Sequence, residues 1–228
     1  MRPNHEVVSR EEWLTARKAL LAIEKEETKL RDKVRAERLT LPWVTVDKTY
    51  TFETPEGRKS LDELFDGRSQ LIVYHFMYGP EWEAGCPGCS FMADHIDGML
   101  PHLNNHDVTM IAASRAPLEK LAAYKKRMGW TFPWVSSFGS DFNFDYHVSF
   151  TKEELASGKV MYNYRETPSA DAHDELPGLS AFFKDEDGTV YHTYSDYARG
   201  GEEALGTLSF VKRKDEYADA PKAHSCCD

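Results

Sequence analysis

Apolar residues recur along the middle of the chain with two alternating spacings. Leu71–Met77 is an uninterrupted apolar, β-branched and aromatic run, which is typical of a strand buried on both faces. After Ser90 the apolar positions change to helical spacing, which continues to about Pro101. A further strand, a helix and a third strand follow in order: Val108–Ala113, Pro117 to Gly129, and Phe132–Phe138. The pattern predicts alternating strands and helices, as in an α/β sheet with helices packed on it.

The N-terminal segment predicts one long helix. Ser9 and Glu12 have the S-x-x-E spacing of a capping box, which marks a helix start. The pattern fades at Leu41-Pro42, because the residue before a proline disfavours helix. An apolar stripe follows one face: Trp13, Leu14, Ala16, Leu20, Leu21, Ile23, Leu30 and Val34. Such a stripe needs a partner surface, either on its own domain or on a second subunit of a homodimer.

The remaining segments flank this alternating region. We interpret residues 139–177 as an insert, because the regular alternation breaks there. The other predicted elements are, in order, a strand Thr45–Phe52, a short helix Ser60–Phe65, a capped helix from Thr151 to Gly158, a strand Val160–Tyr164, a surface loop Thr167–Pro177, a hairpin of Leu179–Lys184 and Thr189–Tyr194, and a last helix Glu202–Val211. This order predicts a thioredoxin-like three-layer α/β sandwich over residues 45–217. A helical extension (1–44) precedes it and a flexible tail (218–228) follows.

A pair of cysteines stands where the first long strand gives way to a helix. The segment Cys86-Pro87-Gly88-Cys89 is a C-x-x-C at this junction, a position that suits redox chemistry by two thiols. Unpaired N–H groups at a helix start lower the pKa of a thiol, so Cys86 is predicted to attack and Cys89, one turn inward, to resolve. Pro87 suits the first helical turn, since its missing N–H would be unpaired there anyway. Tyr78 and Trp82 either form walls of the site or are core aromatics.

Two other interpretations of the cysteines stay open. They could be half of a zinc site completed by Cys226-Cys227 or by histidines, although a second C-x-x-C is missing. They could also be two incidental buried cysteines. We interpret His75, inside the apolar strand, as a core or wall residue. Cys226 and Cys227 are either part of an inert tail or accept electrons from the main pair, as a flexible tail could.

Composition and charge narrow the partners. The 228 residues are 41% hydrophobic and 12% aromatic, which is ample for a packed core. A net charge of −10 disfavours nucleic acid and anionic membranes as partners, because it repels both. An N-terminus without an apolar signal region, and no apolar run near the roughly 20 residues of a membrane span, predict a cytoplasmic protein. Without a glycine-rich phosphate loop we expect no cofactor, and a protein or small-molecule disulfide or thiol as the substrate.

Longer strings carry a family resemblance. They are Arg127–Ser137, Asp141–Tyr146, Gly158–Tyr164 and Tyr191–Gly200. Together they resemble the family known only as domain of unknown function 899, from about Val8 to Tyr217. That family is placed among thioredoxin-like proteins and is usually called a dithiol–disulfide oxidoreductase. The resemblance implies a thioredoxin-like fold and gives Cys86 and Cys89 the role of the redox pair.

The site departs from thioredoxin in three places. Thioredoxins carry Trp immediately before the first cysteine, where this chain has Gly85. The central dipeptide Pro87-Gly88 reverses thioredoxin's Gly-Pro. Thioredoxins also place a cis-proline before the hairpin strand, whereas here Gly178 takes that position and Pro177 stands one residue earlier. We expect both residues at the site and leave open whether the Leu176–Pro177 bond is cis.

Two alternatives to a disulfide oxidoreductase stay open. Peroxiredoxins have a similar entry segment, matched here by Tyr50–Leu64, but Glu83 replaces the threonine three residues before their reactive cysteine. A thiol peroxidase using Cys86 is therefore the first alternative. The second is a non-catalytic thioredoxin-like scaffold that binds a partner through its N-terminal helix and its insert.

Overall fold

The computed structural model describes residues 6–169 and 173–204, which form two compact units dividing between Pro42 and Trp43. The first unit contains helix α1, Arg10–Leu39. None of the helices in the described ranges is both long enough and apolar enough to cross a membrane. The predicted last helix beyond residue 204 and the tail with Cys226 and Cys227 lie outside these ranges.

Helix α1 begins where the sequence predicts. The Ser9 hydroxyl accepts the Glu12 N–H at 3.2 Å, and the Glu12 carboxylate accepts the Ser9 N–H at 2.9 Å, which confirms the capping box. The helix ends at Leu39, just before the proline that disfavours its continuation. Along its surface, oppositely charged side chains such as Glu27 and Arg31 pair one turn apart.

The second unit is built on a mixed sheet. Its helices are α2 (Pro87–Ala93), α3 (Ile96–Asn105), α4 (Leu118–Met128), α5 (Phe142–Asp145) and α6 (Lys152–Ala156). Its strands are β1 (Val44–Thr45), β2 (Thr51–Thr54), β3 (Gly57–Ser60), β4 (Gln70–His75), β5 (Val108–Ser114), β6 (Trp134–Ser136), β7 (Lys159–Tyr162), β8 (Arg165–Pro168), β9 (Gly178–Lys184) and β10 (Val190–Tyr197), with 3₁₀ turns at Glu63–Phe65 and Ala198–Ala204. Eight of the described strands form one sheet in the order β1-β10-β9-β4-β5-β6-β2-β3, while β7 and β8 form a separate hairpin.

The strand directions define the fold. Strands β4, β5 and β6 are parallel neighbours, and the β9–β10 hairpin adds antiparallel to the other side of β4. Alternate residues of β4 enter two separate cores, since Tyr74 packs with helices α2 to α4 and Val73 packs with α5 and the 3₁₀ turn Glu63–Phe65. Helices therefore cover both faces of the sheet. This is a three-layer α/β sandwich with a thioredoxin-like order of elements, as the sequence predicts.

The predicted strand Thr45–Phe52 is wrong as a single element. Its first part is β1, which pairs with β10 at one edge of the sheet, and its last part is β2, which pairs with β6 toward the other edge. The chain crosses between these edges at residues 46–50. There Lys48 forms ion pairs with Asp141 and Asp145, long-range partners that local periodicity does not reveal.

The predicted helix after the cysteines is two helices in the structure, because it breaks into α2 and α3. The break lies at Asp94 and His95. The imidazole Nδ1 of His95 is hydrogen-bonded to the Phe91 carbonyl at 2.8 Å, and the His95 N–H instead donates to Met92 O. The His95 side chain thus occupies the Phe91 carbonyl, which the His95 N–H would bind in an unbroken helix. This interrupts the series of helical backbone hydrogen bonds. His95 is half-buried as a result.

The predicted surface loop Thr167–Pro177 is also wrong in part. Its first residues belong to β8, which pairs with β7. Farther along, the Glu175 side chain is 2% exposed and is held by Arg115 Nε at 2.5 Å and Ser149 Oγ at 2.7 Å. A polar composition suggested solvent exposure, whereas an ion pair buries this part of the segment.

Candidate active site

The loop between β4 and α2 carries Cys86 and is anchored along its whole length. Its backbone accepts hydrogen bonds at Phe76 O from Ser114 Oγ (2.6 Å) and at Tyr78 O from the Ala116 N–H (2.8 Å). The Cys86 N–H donates back to Met77 O at 3.0 Å. Farther out, Lys120 Nζ binds Pro80 O and Trp82 O at 2.7 and 3.1 Å. The loop is therefore a fixed support for the first cysteine.

Gly85 is required by a close approach of the backbone to an aromatic cluster. A Cβ atom at this position would lie 2.6 Å from Phe76 Cε1 and 3.3 Å from Tyr124 Cζ. Both rings are buried and packed against Trp134. The space that a larger residue would need before Cys86 is already filled. This explains why the residue before the first cysteine is a glycine in this chain.

Cys86 is the half-exposed member of the pair and lies at the start of α2, with Pro87 as the first helical residue. The pKa of its thiol is lowered to about 6, chiefly by a hydrogen bond from the Cys89 thiol. Burial opposes this shift, while the backbone N–H groups of Cys89 and Gly88 and the charge of His173 add to it. At neutral pH Cys86 is therefore mainly a thiolate, the nucleophilic form.

Cys89 has the opposite environment. Its side chain is buried against the apolar core, and this burial raises the pKa of its thiol well above the ordinary value. The negative charge of Cys86 raises it further, whereas a hydrogen bond from the Tyr74 hydroxyl partly offsets the shift. The pair thus consists of one ionised thiol at the surface and one protonated thiol behind it.

A cavity of about 200 Å³ opens in front of the two thiols. Its lining combines the cysteines with the end of β4, the start of β9 and the turn after β10, and the side chains are mainly apolar. The lining residues are Tyr74, Met77, Cys86, Gly88, Cys89, Met92, Pro177, Gly178, Leu179, Asp196, Ala198, Arg199 and Gly201. This volume is smaller than that of a typical drug-sized pocket, roughly 300 Å³ or more. The cavity therefore accepts a group of a few heavy atoms next to the sulfur.

A short segment, residues 173–177, runs beside the cysteine loop. Trp82 Nε1 donates to Asp174 Oδ1 at 3.0 Å, and the Phe150 N–H donates to Asp174 O at 3.0 Å. The next residue is the buried Glu175, paired with Arg115. These contacts hold His173 on the same side as Cys86, whose pKa it helps to lower.

The predicted site residues divide into two groups. Cys86, Cys89, Pro177 and Gly178 come together around the cavity. Tyr78 and Trp82 do not line it: Tyr78 is 3% exposed and packs on Tyr124 and Trp134, and Trp82 forms the link to Asp174. Pro87 is exposed on α2. The Leu176–Pro177 peptide bond is trans.

Several lining residues were not predicted as site residues. Met77 and Met92 were interpreted only as apolar strand and helix positions, and the turn at residues 198–201 carried no site prediction. Its signal is the string Tyr191–Gly200, which carries the family resemblance. In residues 6–169 and 173–204 no three His, Cys, Asp or Glu side chains cluster as metal ligands would. Cys226 and Cys227, which the zinc interpretation uses, lie outside these ranges.

The fold and the thiol pair define a thioredoxin-like protein with a C-x-x-C at the end of a central strand. The chain belongs to the family described as "Bacterial protein of unknown function (DUF899)", whose model matches residues 2–216. No curated protein matches the sequence at a significant level.

Among solved structures, the chain is similar to three bacterial proteins at low identity. The bacterioferritin comigratory protein of Xanthomonas campestris shares 14% identity, with 71% of this chain and 89% of that chain covered and a TM-score of 0.43. Peroxidoxin BcpB of Mycobacterium tuberculosis shares 16% identity, with 76% of this chain and 99% of that chain covered and a TM-score of 0.42. A cysteine-to-serine mutant of PrxQ from Xylella fastidiosa shares 13% identity, with 74% of this chain and 94% of that chain covered and a TM-score of 0.45. The likeness is partial, and the fold follows from the strand order of this chain itself.

Proposed function

We propose that this protein is a thiol–disulfide oxidoreductase in which Cys86 attacks and Cys89 resolves. The observation that carries the proposal is the asymmetry of the pair. Cys86 faces the cavity and is mainly ionised at neutral pH, whereas Cys89 is buried behind it and keeps its proton. Disulfide exchange needs a thiolate that a substrate can reach and a second thiol within reach of the first.

The reaction proceeds in two exchanges. The Cys86 thiolate attacks one sulfur of a substrate disulfide, so that a Cys86–substrate disulfide forms and one substrate thiolate leaves and is protonated. Cys89 then loses its proton and attacks the Cys86 sulfur, which releases the second substrate thiol. The substrate disulfide gains two electrons and the cysteine pair becomes a disulfide. An external dithiol restores the reduced pair, and the reverse sequence oxidises a substrate dithiol.

The cavity supports a substrate with a compact apolar group next to its sulfur. We propose protein or small-molecule disulfides as substrates, and the cytoplasm as the setting, because a reducing compartment keeps the pair available as thiols. Pro177 and Gly178 form the wall opposite α2. We also propose a helical extension at 1–44, a thioredoxin-like domain at 45–217 and an insert at 139–177. We further propose that the protein forms a homodimer through the N-terminal helix.

The test is to trap the intermediate. Reduced wild-type protein is expected to turn over a small disulfide in the presence of a dithiol, and Cys86→Ser to be inactive. Cys89→Ser, reduced and then freed of the dithiol before the disulfide is added, is expected to stop with the substrate attached to Cys86, read by mass spectrometry. Failure of Cys89→Ser to form this adduct would contradict the proposal. Consumption of a hydroperoxide with a sulfenic acid at Cys86 and no disulfide turnover would instead support the peroxidase alternative. Inactivity of the wild type in both assays would support the non-catalytic scaffold alternative.

A further inference from the structure

A buried tyrosine of the β7–β8 hairpin reaches the thiol cavity from behind. Tyr162 is 7% exposed and packs in a small core with Val148, Phe150, Val160 and Tyr197. Its ring meets the Tyr197 ring edge-on at 5.5 Å between centroids. Tyr162 is outside the set of residues that line the cavity, so its relation to the site depends on what the hydroxyl group binds.

The Tyr162 hydroxyl joins two separate parts of the cavity wall. It donates to the Pro177 carbonyl at 2.7 Å and accepts from the Ala198 N–H at 2.8 Å. Pro177 precedes β9 and Ala198 follows β10, and both residues line the cavity beside Cys86. Burial raises the pKa of Tyr162 to about 12, so the hydroxyl keeps the proton that it donates. One hydroxyl thus connects the two ends of the hairpin that faces the cysteines.

The second of these contacts holds a turn in an unfavourable conformation. Ala198 has a φ of 51°, a left-handed value that residues with a Cβ rarely adopt. At this residue the chain leaves β10 and turns over the cavity, where a Cβ at Gly201 would lie 3.7 Å from Met92 Sδ and 3.8 Å from Leu179 Cδ1. The hydrogen bond to Tyr162 stabilises the turn in the position that narrows the opening above Met92.

The first contact holds the neighbouring part of the wall, since Gly178 and Tyr197 are register partners in the β9–β10 hairpin. Gly178, next to Pro177, is packed so closely that a Cβ would lie 2.9 Å from the Tyr197 ring and 3.1 Å from Val148. This wall therefore cannot move back into the protein. An outward movement of Pro177 and Ala198 would widen the cavity, and both backbone groups are bound to the same hydroxyl.

We infer that Tyr162 is a positioning residue whose hydroxyl fixes two neighbouring backbone segments of the cavity wall, at Pro177 and Ala198, and so limits the size of the molecules that reach Cys86. The part of the inference that concerns which substrates react rests on the proposed disulfide exchange. The part that concerns access of molecules to the Cys86 thiol does not depend on that function.

The test compares two thiol reagents of different size on the reduced full-length protein. Iodoacetamide is the small reagent and a pyrene maleimide the bulky one, and the rate at Cys86 is read by peptide mass spectrometry. In Tyr162→Phe the bulky-to-small rate ratio is expected to rise by up to about thirtyfold, the change that corresponds to losing two hydrogen bonds at a typical net strength of about 1 kcal/mol each. The pH midpoint of iodoacetamide alkylation is expected to stay unchanged, since α2 sets it.

Tyr164→Phe is the matched control. Tyr164 lies two positions along the same hairpin, meets Tyr197 edge-on at 5.4 Å, and donates its hydroxyl proton to Ser195 O at 2.7 Å, a carbonyl that does not line the cavity. Removing this hydroxyl is expected to leave the reagent ratio as in the wild type. An equal rise in both variants would overturn the inference, because it would indicate general loosening of the hairpin.

Other outcomes are equally decisive. An unchanged ratio in Tyr162→Phe overturns the inference whether or not the protein exchanges disulfides. A raised ratio in a protein that lacks exchange activity supports the inference and contradicts only the proposed function. If Tyr162→Phe does not fold, amide hydrogen exchange of Ala198 in the wild type replaces it. Protection of that amide supports the hydrogen bond, and exchange at the rate of an unprotected amide overturns it.

Discussion

The two faces of strand β4 each have an ionisable side chain beside them, in environments that act on it in opposite ways. On one face, next to Tyr74, the cysteine loop presents Cys86 to a cavity, with N–H and S–H donors aimed at its sulfur. On the other face His75 is 1% exposed and stacks on both Phe142 and Tyr146, with ring centroids at 5.4 and 5.8 Å. Its Nε2 is hydrogen-bonded to Ser180 Oγ at 2.8 Å, and in the described part of the chain its Nδ1 has no partner.

The contrast shows that donors, rather than burial, decide reactivity. Burial lowers the pKa of His75 to about 3, and the neighbouring His192 adds to this shift, so the imidazole is neutral at any physiological pH. Burial acts against ionisation of Cys86 as well, but hydrogen-bond donors outweigh it. The interpretation of His75 as a core residue is confirmed by its position.

The largest predicted difference between the two faces is the loss of folding stability that His75 causes at acidic pH. His75 has a pKa near 6.5 when unfolded and about 3 when folded, so below pH 6.5 the unfolded chain binds a proton that the native protein excludes. Stability is therefore lost as the pH falls through this window, at about 1.4 kcal/mol per pH unit for this one group. We expect the free energy of unfolding, from urea titrations between pH 6 and pH 4, to fall more shallowly in His75→Gln by this amount.

His102→Gln is the control for that titration. His102 is exposed on α3, so His102→Gln gives the general effect of replacing a histidine by glutamine, and the slope of His75→Gln is compared with it. A His75 variant with the same slope as the wild type would show that the buried imidazole accepts a proton in the native protein, which would contradict its neutral state.

The next effect concerns the cysteine face. Gly85→Ala places a methyl group 2.6 Å from the Phe76 ring, in a cluster of packed aromatics that has little room to yield. We expect a loss of about 1–3 kcal/mol in the free energy of unfolding, as for overpacked cores, together with a slower alkylation of Cys86 as its loop shifts. Urea unfolding and iodoacetamide kinetics measure both.

Gly98→Ala is the matched control of opposite sign. Gly98 lies inside α3, and a Cβ there meets no atom within 4 Å. Alanine should stabilise the helix by up to about 1 kcal/mol and leave Cys86 unaffected. A Gly85→Ala variant as stable as the wild type would mean that the loop is not confined by the aromatic cluster.

The smallest effect is expected at Trp82. Trp82→Phe removes the hydrogen bond to Asp174, which should cost about 1 kcal/mol in the free energy of unfolding. Asp174→Ala removes the same bond, so the double variant is expected to lose less than the sum of the two single changes. Strict additivity would show that the bond does not connect the cysteine loop to residues 173–177.

Local signals predicted much of this molecule. The capping boxes at Ser9 and Thr151 and the turn between β9 and β10 depend on residues a few positions apart, and all appear as expected. The apolar run around β4 likewise predicts a central strand and the cysteine junction that follows it. These features set the fold and the place of the thiols.

The parts that sequence did not predict depend on distant partners. The Tyr162 hydroxyl reaches an amide 36 positions away, and the Glu175 carboxylate binds Arg115, 60 positions away. The cavity lining joins residues between Tyr74 and Met92 to residues between Pro177 and Gly201. No periodicity encodes such contacts, because each depends on the folded arrangement of segments that are separate in sequence.

The most direct measurement is the pH dependence of Cys86 alkylation by iodoacetamide in the reduced protein, with the modified residue identified by peptide mass spectrometry. The expected result is a single midpoint at about pH 6 for Cys86, with Cys89 unmodified over the same range. A midpoint near the ordinary cysteine value of about 8.5, or modification of Cys89 first, would contradict the assignment of Cys86 as the attacking thiolate.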